Sequence, residues 1–247
     1  MKHVAIFGMK FTRQSLDYVH QVHSECQKRG WNVVMEHDML NHLKSKYDFS
    51  LPCTTYATDQ DFKKGIDYMI CLGGDGSFLR AVRFVRDSGV PILGINTGRL
   101  GFLSNISKEA IGETFQLLED KKYEFQKRSL IRVRTQDELF GLENFALNEL
   151  TISKKDTSSM ITVHAKLDGK YLNSYWADGL IVSTPTGSTG YSLSCGGPII
   201  FPKSDSFVIT PIAPHNLNVR PVVVSDDVVI SFEIEGRASS YLASLDA

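Results

Sequence analysis

The sequence predicts a two-domain α+β chain, with an α/β amino-terminal domain and an all-β, sandwich-like carboxy-terminal domain. Residues 1–105 alternate short apolar runs with segments of helical periodicity, a rhythm typical of a doubly wound, Rossmann-like parallel sheet. After roughly Asp120 this rhythm gives way to short β-prone runs separated by turn residues. We therefore predict domains at 1–105 and 106–247, with ligands in the crevice between them, beyond the carboxyl ends of the parallel strands.

The amino-terminal elements follow from where apolar residues recur. Consecutive apolar residues next to glycine or proline predict strands buried on both faces, at residues 3–8, 31–35, 67–72 and 91–95. Leu16, Val19, Val22 and Cys26 recur at helical spacing, and Gly30 ends this predicted helix. A second helix is predicted over residues 77–86, which carry one apolar face.

The carboxy-terminal elements are short runs of β-prone residues. They lie at 131–135, 146–152, 161–167, 171–176, 180–183, 207–212, 221–224 and 228–234. Asp168-Gly169 between two of these runs predicts a hairpin turn. Residues 241–247 still have the character of a strand, so we expect the natural carboxy-terminal segment to be missing from this sequence.

Charge and composition exclude several classes of partner. The formal net charge is −1, so no strong positive field is available for a nucleic-acid backbone. The densest basic stretch, residues 121–134, is interpreted as a solvated face. No run approaches the ~18 apolar residues of a membrane span, and the four cysteines form no Cys-x-x-Cys pair. We predict a cytoplasmic protein without nucleic-acid or membrane partners.

The turn Gly73-Gly74-Asp75-Gly76-Ser77 lies between a predicted buried strand and a predicted helix. Glycines allow the backbone to approach a ligand closely, and the N–H groups of a helix N-terminus favour a phosphate. A carboxylate would repel that phosphate, but it could accept a proton from an attacking hydroxyl or coordinate Mg²⁺. Alternatively, Asp75 or Ser77 only caps the helix.

A second glycine-rich loop follows the predicted strand at 91–95. Three glycines within residues 94–101 suggest close approach of the backbone to a ligand. Arg99 could pair with a phosphate and Phe102 could stack on a base. Alternatively, the loop only connects domains and Phe102 lies in the core.

Two further segments carry polar groups beside apolar strands. Asn148-Glu149 lies between Leu147 and Leu150, where the amide could read a base edge and the carboxylate could bind ribose hydroxyls. The alternative is a polar strand edge. The hydroxyl-rich segment, residues 178–198, offers many short hydrogen-bonding groups to phosphates and sugars, or is simply a polar loop.

Taken together, these segments resemble the NAD kinase (ATP-NAD kinase) family. The Gly-Gly-Asp-Gly turn alone is shared with diacylglycerol-kinase-like lipid kinases and phosphofructokinases. The specific signal is that this turn is followed along the chain, in this order, by Asn-x-Gly-x-Leu-Gly-Phe, Asn-Glu, Asp-Gly and Thr-Pro-Thr-Gly-Ser-Thr-x-Tyr. Ser77 stands where threonine is common in that family, and Gly190 and Cys195 stand where alanine is usual.

The resemblance implies transfer of the γ-phosphate of ATP to the 2′-hydroxyl of the adenosine ribose of NAD, which gives NADP. Asp75 would be the base or anchor for that hydroxyl. The resemblance implies ATP phosphate binding by Gly73, Gly74, Gly76 and Ser77. It implies NAD binding by Gly76, Phe102, Asn148, Glu149, Asp178, Thr186, Thr189, Gly190, Tyr191 and Ser194. Mg²⁺ or another divalent cation would accompany ATP, without a metal site made by the protein alone.

The resemblance also implies a homo-oligomer, with a tetramer expected. Two other functions remain open from the sequence. One is a lipid kinase of the diacylglycerol type, which shares the glycine turn. The other is a non-catalytic sensor that binds a dinucleotide without turnover.

Overall fold

A computed structural model describes residues 1–98, 100–155, 159–236 and 240–246. The chain divides into two compact units, Met1–Phe125 and Gln126–Ala247. In the described part of the chain, no helix combines the length and apolar character that a membrane crossing needs.

The first unit is a six-stranded parallel sheet with helices on both faces. Its strands are β1 (His3–Gly8), β2 (Asn32–Glu36), β3 (Thr54–Tyr56), β4 (Tyr68–Leu72), β5 (Ile92–Asn96) and β6 (Ile106–Ser107). Its α-helices are α1 (Arg13–Lys28), α2 (His37–Tyr47), α3 (Asp75–Val85) and α4 (Ile111–Glu119). The strand order is β3-β2-β1-β4-β5-β6, so the direction of winding reverses between β1 and β4.

Alternation along β1 shows why both faces of this sheet are covered. Val4 and Ile6 point into a core shared with α1, α2 and α4, whereas Ala5 and Phe7 point into a second core that includes α3. Consecutive apolar residues in a strand are therefore buried on opposite sides. The predicted doubly wound α/β fold is confirmed.

Local capping explains where α1 begins and ends. Thr12 and Ser15 form a capping box, in which the Thr12 hydroxyl accepts the Ser15 N–H at 3.3 Å and the Ser15 hydroxyl accepts the Thr12 N–H at 2.8 Å. Two residues after Lys28, Gly30 has a φ of 64°, a left-handed conformation that glycine adopts easily.

The first unit extends beyond the boundary predicted at residue 105. β6 pairs with β5 in the parallel sheet, and Ile111, Phe115 and Leu118 of α4 lie in the same core as α1. The division between the units therefore falls after Phe125, because these later elements complete the first sheet and its helical layer.

The second unit consists mainly of antiparallel sheets. Its strands are β7 (Ile131–Arg132), β8 (Phe145–Ala146), β9 (Glu149–Lys154), β10 (Ile161–Leu167), β11 (Lys170–Ala177), β12 (Gly179–Ser183), β13 (Ser206–Ile212), β14 (Val222–Ser225), β15 (Ile230–Glu235) and β16 (Tyr241–Leu245). A short helix, α5 (Tyr191–Ser194), follows β12. The sheets have the orders β14-β13-β12-β9-β16 and β11-β10-β15, and β7 pairs with β8.

One core joins the two larger sheets of this unit. Val163 and Tyr175 come from the three-stranded sheet, and Leu180 and Ile209 come from the five-stranded sheet. The predicted sandwich-like arrangement of β-sheets is confirmed. The predicted hairpin turn at Asp168-Gly169 is also present between β10 and β11, with φ values of 49° and 77° that fit a tight two-residue turn.

Candidate active site

In the first unit, the carboxylate of Asp75 binds the second glycine-rich loop. Asp75 is the first residue of α3 and is half-buried. Three consecutive backbone N–H groups donate to it: Phe102 to Oδ2 at 2.8 Å, Leu103 to Oδ1 at 2.9 Å and Ser104 to Oδ1 at 2.9 Å. The two chemically interesting segments of this unit are therefore joined directly at the carboxyl edge of the sheet.

The loop approaches the carboxylate so closely that residue 101 must be glycine. A Cβ atom added at Gly101 would overlap both oxygens of Asp75. Asn96, at the end of β5, holds the other side of the loop: its amide donates to Ser104 O at 3.2 Å and its Oδ1 accepts the Gly98 N–H at 2.7 Å. The loop is thus fixed at both ends.

Helix capping does not account for Asp75 or Ser77. The cap position of α3 is Gly74, and α3 has no side-chain capping bond among its described residues. Gly74 and Gly76 are exposed, so the first turn of the helix faces solvent. An open helix N-terminus presents N–H groups and the positive end of the helix dipole, which together favour a phosphate.

The side chain of Phe102 is exposed, so the alternative that it lies in the core is wrong. The residue is 74% accessible although its backbone N–H is bound to Asp75. The ring is therefore available to a ligand. Arg99, the other residue considered in this loop, lies outside the described residues.

In the second unit, Asn148-Glu149 does not lie in a continuous strand, contrary to the prediction for 146–152. β8 ends at Ala146 and β9 begins at Glu149. Glu149 is buried and Asn148 is half-buried. The strand is interrupted because the N–H groups of residues 147–149 donate to the side chain of Asp246 instead of to a neighbouring strand.

The hydroxyl-rich segment packs directly on this Asn-Glu pair. Thr184 donates its N–H to Asn148 O at 2.9 Å and its hydroxyl to Leu147 O at 2.5 Å. A Cβ atom added at Gly187 would overlap the backbone of Asn148, so glycine is required there. A Cβ atom at Gly190 would lie 3.9 Å from Glu149 Oε2, so the hydroxyl-rich segment also borders the buried carboxylate.

The hydroxyl-rich segment contains two kinds of hydroxyl group. Those of Ser183, Thr184, Ser188 and Ser192 are buried and are bonded to Thr184 O, Leu147 O, Pro185 O and Thr210 Oγ1, respectively. Those of the predicted site residues are half-exposed or exposed: Thr186, Thr189, Tyr191 and Ser194. The segment is therefore held by its buried hydroxyls, whereas the other four residues are partly or fully accessible. Of these four, Thr189 donates its hydroxyl to Thr186 O at 3.5 Å.

Gly190 is compatible with the alanine that the resemblance would place there. The added Cβ atom would lie 3.3 Å from Gly187 O, so a shift of a few tenths of an ångström would accommodate it. This departure from the expected pattern therefore changes the surface next to Tyr191 only slightly.

Asp178 is half-buried and forms an ion pair that the sequence did not indicate. Its Oδ1 lies 2.6 Å from Lys154 Nζ, and the Lys154 N–H donates to Asp178 O at 2.9 Å. Burial raises the pKa of Tyr191, with smaller contributions from nearby Cys195 and Asp178.

Arg128 departs from the solvated basic face to which the sequence assigned it. It is half-buried, and its guanidinium donates to Thr186 Oγ1 at 3.2 Å. Desolvation lowers the pKa of Arg128. A positive charge therefore lies beside the hydroxyl of half-exposed Thr186 in the hydroxyl-rich segment.

Among the described residues, no group of three or more His, Cys, Asp or Glu side chains could hold a metal ion. Mg²⁺ needs no such cage when it arrives with a nucleotide, because phosphate oxygens and water supply most of its ligands. A half-buried carboxylate beside an open helix N-terminus fits that situation.

The doubly wound sheet, its carboxylate-bearing glycine turn and the β-rich unit with its Asn-Glu pair are the features of a nucleotide-using kinase. Residues 4–123 match the model of the ATP-NAD kinase N-terminal domain, and residues 147–247 match that of the ATP-NAD kinase C-terminal domain. The chain therefore belongs to the ATP-NAD kinase family.

Similar proteins support this assignment. The chain is 46% identical over 245 residues to an NAD kinase of Cytophaga hutchinsonii. The aligned region covers 98% of this chain and 83% of that protein. The chain is 45% identical over 246 residues to an NAD kinase of Flavobacterium psychrophilum, with coverage of 99% and 84%.

Two solved structures have the same fold. One is yeast NADH kinase complexed with NADH, with a TM-score of 0.85, 26% identity, and coverage of 100% of this chain and 75% of that one. The other is an NAD kinase from Archaeoglobus fulgidus in complex with ATP, with a TM-score of 0.76, 25% identity, and coverage of 99% and 84%. The predicted ATP-dependent NAD kinase is confirmed, and neither the lipid kinase nor the non-catalytic sensor is favoured.

Proposed function

We propose that Asp75 receives the proton of the 2′-hydroxyl of NAD while that oxygen attacks the γ-phosphorus of ATP. The observation that supports this role is the geometry of its carboxylate. A carboxylate offers about four acceptor positions, and the loop at 102–104 uses three of them. One position, on Oδ2, is left for a further donor.

The proton transfer is proposed to be late. A sugar hydroxyl is a weak acid, so it gives up its proton only as the new P–O bond forms and the bond to the ADP oxygen breaks. Asp75 would then hold the attacking oxygen in line with the phosphate for most of the reaction. Positioning, more than basicity, would be its main contribution.

The donor phosphates are proposed to lie at the first turn of α3. Gly74 and Gly76 would contact them through backbone N–H groups, and Ser77 through its hydroxyl. Gly73, whose N–H donates to Ile95 O at 3.0 Å, would instead shape the turn around them. The exposure of Gly74 and Gly76 supports this placement. Mg²⁺ would accompany ATP and neutralise charge on the phosphates, with Asp75 as the nearest protein carboxylate in this turn.

The second unit is proposed to bind NAD. Asn148 would read the adenine through its amide, and Glu149 would bind a ribose hydroxyl. The remaining contacts in this unit would come from Asp178, Thr186, Thr189, Gly190, Tyr191 and Ser194. Phe102 would stack on a base through its exposed ring. The accessibility of the four hydroxyl-bearing residues in that list supports these roles.

A single assay tests the activity against its alternatives. The purified chain is incubated with ATP, Mg²⁺ and NAD, and NADP is detected with an NADP-specific dehydrogenase. A parallel reaction replaces NAD with a diacylglycerol in detergent micelles. We expect NADP and no phosphorylated lipid. Dinucleotide binding without NADP formation would instead favour the sensor.

Three further properties remain predictions based on the family. They are dependence on a divalent cation, assembly into a homo-tetramer and location in the cytoplasm. Chelation by EDTA should abolish turnover and added Mg²⁺ should restore it. Sedimentation equilibrium should give four times the 27.6 kDa mass of one chain.

A further inference from the structure

Asp246, which no sequence motif singled out, binds the backbone of the Asn-Glu pair. β16 runs antiparallel to β9 and ends at Leu245, which places Asp246 beside the start of β9. Its carboxylate accepts three consecutive N–H groups: Leu147 at 3.0 Å, Asn148 at 2.6 Å and Glu149 at 3.3 Å. In return, the Asp246 N–H donates to Glu149 O at 3.0 Å.

These bonds complete a clamp around residues 147–149. The carbonyl groups of Leu147 and Asn148 are bound by Thr184, and Gly187 lies against the Asn148 backbone. The N–H groups of the same residues are bound by Asp246. Successive N–H groups that converge on one anion form a strong, directional arrangement, because each bond is assisted by the negative charge.

We propose that Asp246 is a positioning residue for NAD, acting through Asn148 and Glu149. The carboxylate sets the backbone of the pair and thereby the direction of both side chains. The inference rests on the proposed function, in which this pair contacts NAD. It assigns Asp246 no contact with either substrate and no part in the transfer of the phosphate.

The test variant is Asp246→Asn. The φ of Asp246 is 53°, a conformation that asparagine also tolerates, so the backbone is not strained by the change. In the variant, the asparagine NH₂ group replaces a carboxylate oxygen, and it cannot accept a hydrogen bond from the backbone N–H groups that it faces. Because a misplaced binding group weakens binding without changing the chemistry, we expect the KM for NAD to rise on the order of tenfold. The kcat and the KM for ATP should change less than about twofold.

Asp168→Asn is the matched control. Asp168 also has a left-handed backbone, with a φ of 49°, and its carboxylate accepts a loop N–H, that of Val229, at 2.9 Å. It lies in the β10–β11 hairpin of the same unit. This variant should lose some stability but keep the wild-type KM for NAD. An equal rise of the KM in both variants would show a general structural effect and overturn the proposal.

A double-mutant cycle tests whether Asp246 affects NAD binding through Asn148 or independently of it. Asn148→Ala should raise the KM for NAD, and adding Asp246→Asn to it should raise the KM much less than in the wild type. Strict additivity would overturn the proposed route. If Asp246→Asn does not fold, the test variant is Asp246→Gly, because glycine adopts the left-handed backbone easily. Formate, which supplies a free carboxylate, should then lower the KM of this variant for NAD. No response to formate would count against the proposal.

Hydrogen exchange tests the clamp independently of turnover. In the wild-type chain, the amides of residues 147–149 should exchange slowly, and fast exchange in the folded protein would overturn the role of Asp246. If the wild-type chain makes no NADP although these amides are protected, the proposed function fails while the clamp stands. The two failures are therefore distinguishable.

Discussion

Asp75→Asn should impair both stability and turnover, because the carboxylate binds a loop and is proposed to accept the proton of the attacking hydroxyl. It accepts three backbone N–H groups from residues 102–104. Asparagine keeps one accepting oxygen and turns an NH₂ group toward at least one of these donors. Each hydrogen bond to a charged group contributes roughly 1.5–3 kcal/mol, so we expect the free energy of unfolding to fall by about 2–4 kcal/mol. The melting temperature should fall by roughly 5–10 °C.

Turnover should fall further than the loss of loop geometry alone explains. Removal of a proton acceptor typically costs roughly 10²–10⁴ in rate. Gly101→Ala separates the two effects, because the added Cβ atom displaces the loop from the carboxylate but leaves the carboxylate in place. We expect that variant to lose only about tenfold in kcat. Gly98→Ala is the control in the same loop, because its added Cβ atom would meet no atom within 4 Å.

The assay is NADP formation at saturating ATP and NAD, with thermal unfolding of each variant measured in parallel. All rates are taken well below the lowest melting temperature, so that only folded protein contributes. If Asp75→Asn and Gly101→Ala lose the same factor in kcat, Asp75 holds the loop and accepts no proton. If Gly98→Ala is as impaired as Gly101→Ala, overlap with Asp75 is not the cause.

The other predictions concern the second unit and the buried thiols. Gly187→Ala should raise the KM for NAD at least tenfold, because its Cβ atom overlaps the Asn148 backbone; an unchanged KM would exclude this contact from NAD binding. Lys154→Met should break the ion pair with Asp178 and weaken NAD binding in calorimetry, less so at high salt. Burial raises the pKa of Cys71 to about 12, so Ellman's reagent at pH 8 should label this thiol only after unfolding, unlike the half-buried Cys53 and Cys195; rapid labelling of Cys71 itself in the native protein would contradict its burial.

Apolar patterning predicted the long elements because burial leaves a strong periodic signal. The β4 strand has five buried residues in succession. Because neighbouring residues of a strand face opposite sides of the sheet, such a run is expected only where both faces are covered. Helix α2 was missed because only Met39, Leu40 and Leu43 among its residues are buried, and its cap is the side chain of Glu36, an uncommon capping residue. β6 has two residues and is a strand only because β5 lies beside it.

The domain boundary could not be placed for a related reason. The sequence pattern changes from helical periodicity to short strands after α4, but the glycine-rich loop at 97–104 is a stronger local break in the sequence. α4 belongs to the first unit through long-range contacts of Ile111, Phe115 and Leu118 with the core of α1. Local composition does not report such contacts.

The motifs of the candidate site were visible in the sequence, whereas the groups that hold them were not. Asp75 contacts a loop 27 to 29 residues away, and Asp246 contacts the Asn-Glu pair 97 to 99 residues away. In each case one carboxylate binds three consecutive backbone N–H groups. Almost every residue type has a backbone N–H, so such a contact leaves no signal in the identity of the residues that donate. A sequence motif names the residue whose side chain is proposed to bind the ligand, such as Asn148, but not the acid that holds its backbone.

This arrangement explains why carboxylates occur in loops that serve anionic substrates. A carboxylate whose oxygens are occupied by backbone donors has part of its charge compensated within the protein, so it repels a nearby phosphate less than a free one. The same three bonds fix the loop before a substrate arrives, which removes the entropic cost of ordering it during binding. Asp75 and Asp246 would thus make the two loops rigid for the same physical reason, and the proposed reaction would use the remaining acceptor position of Asp75 alone.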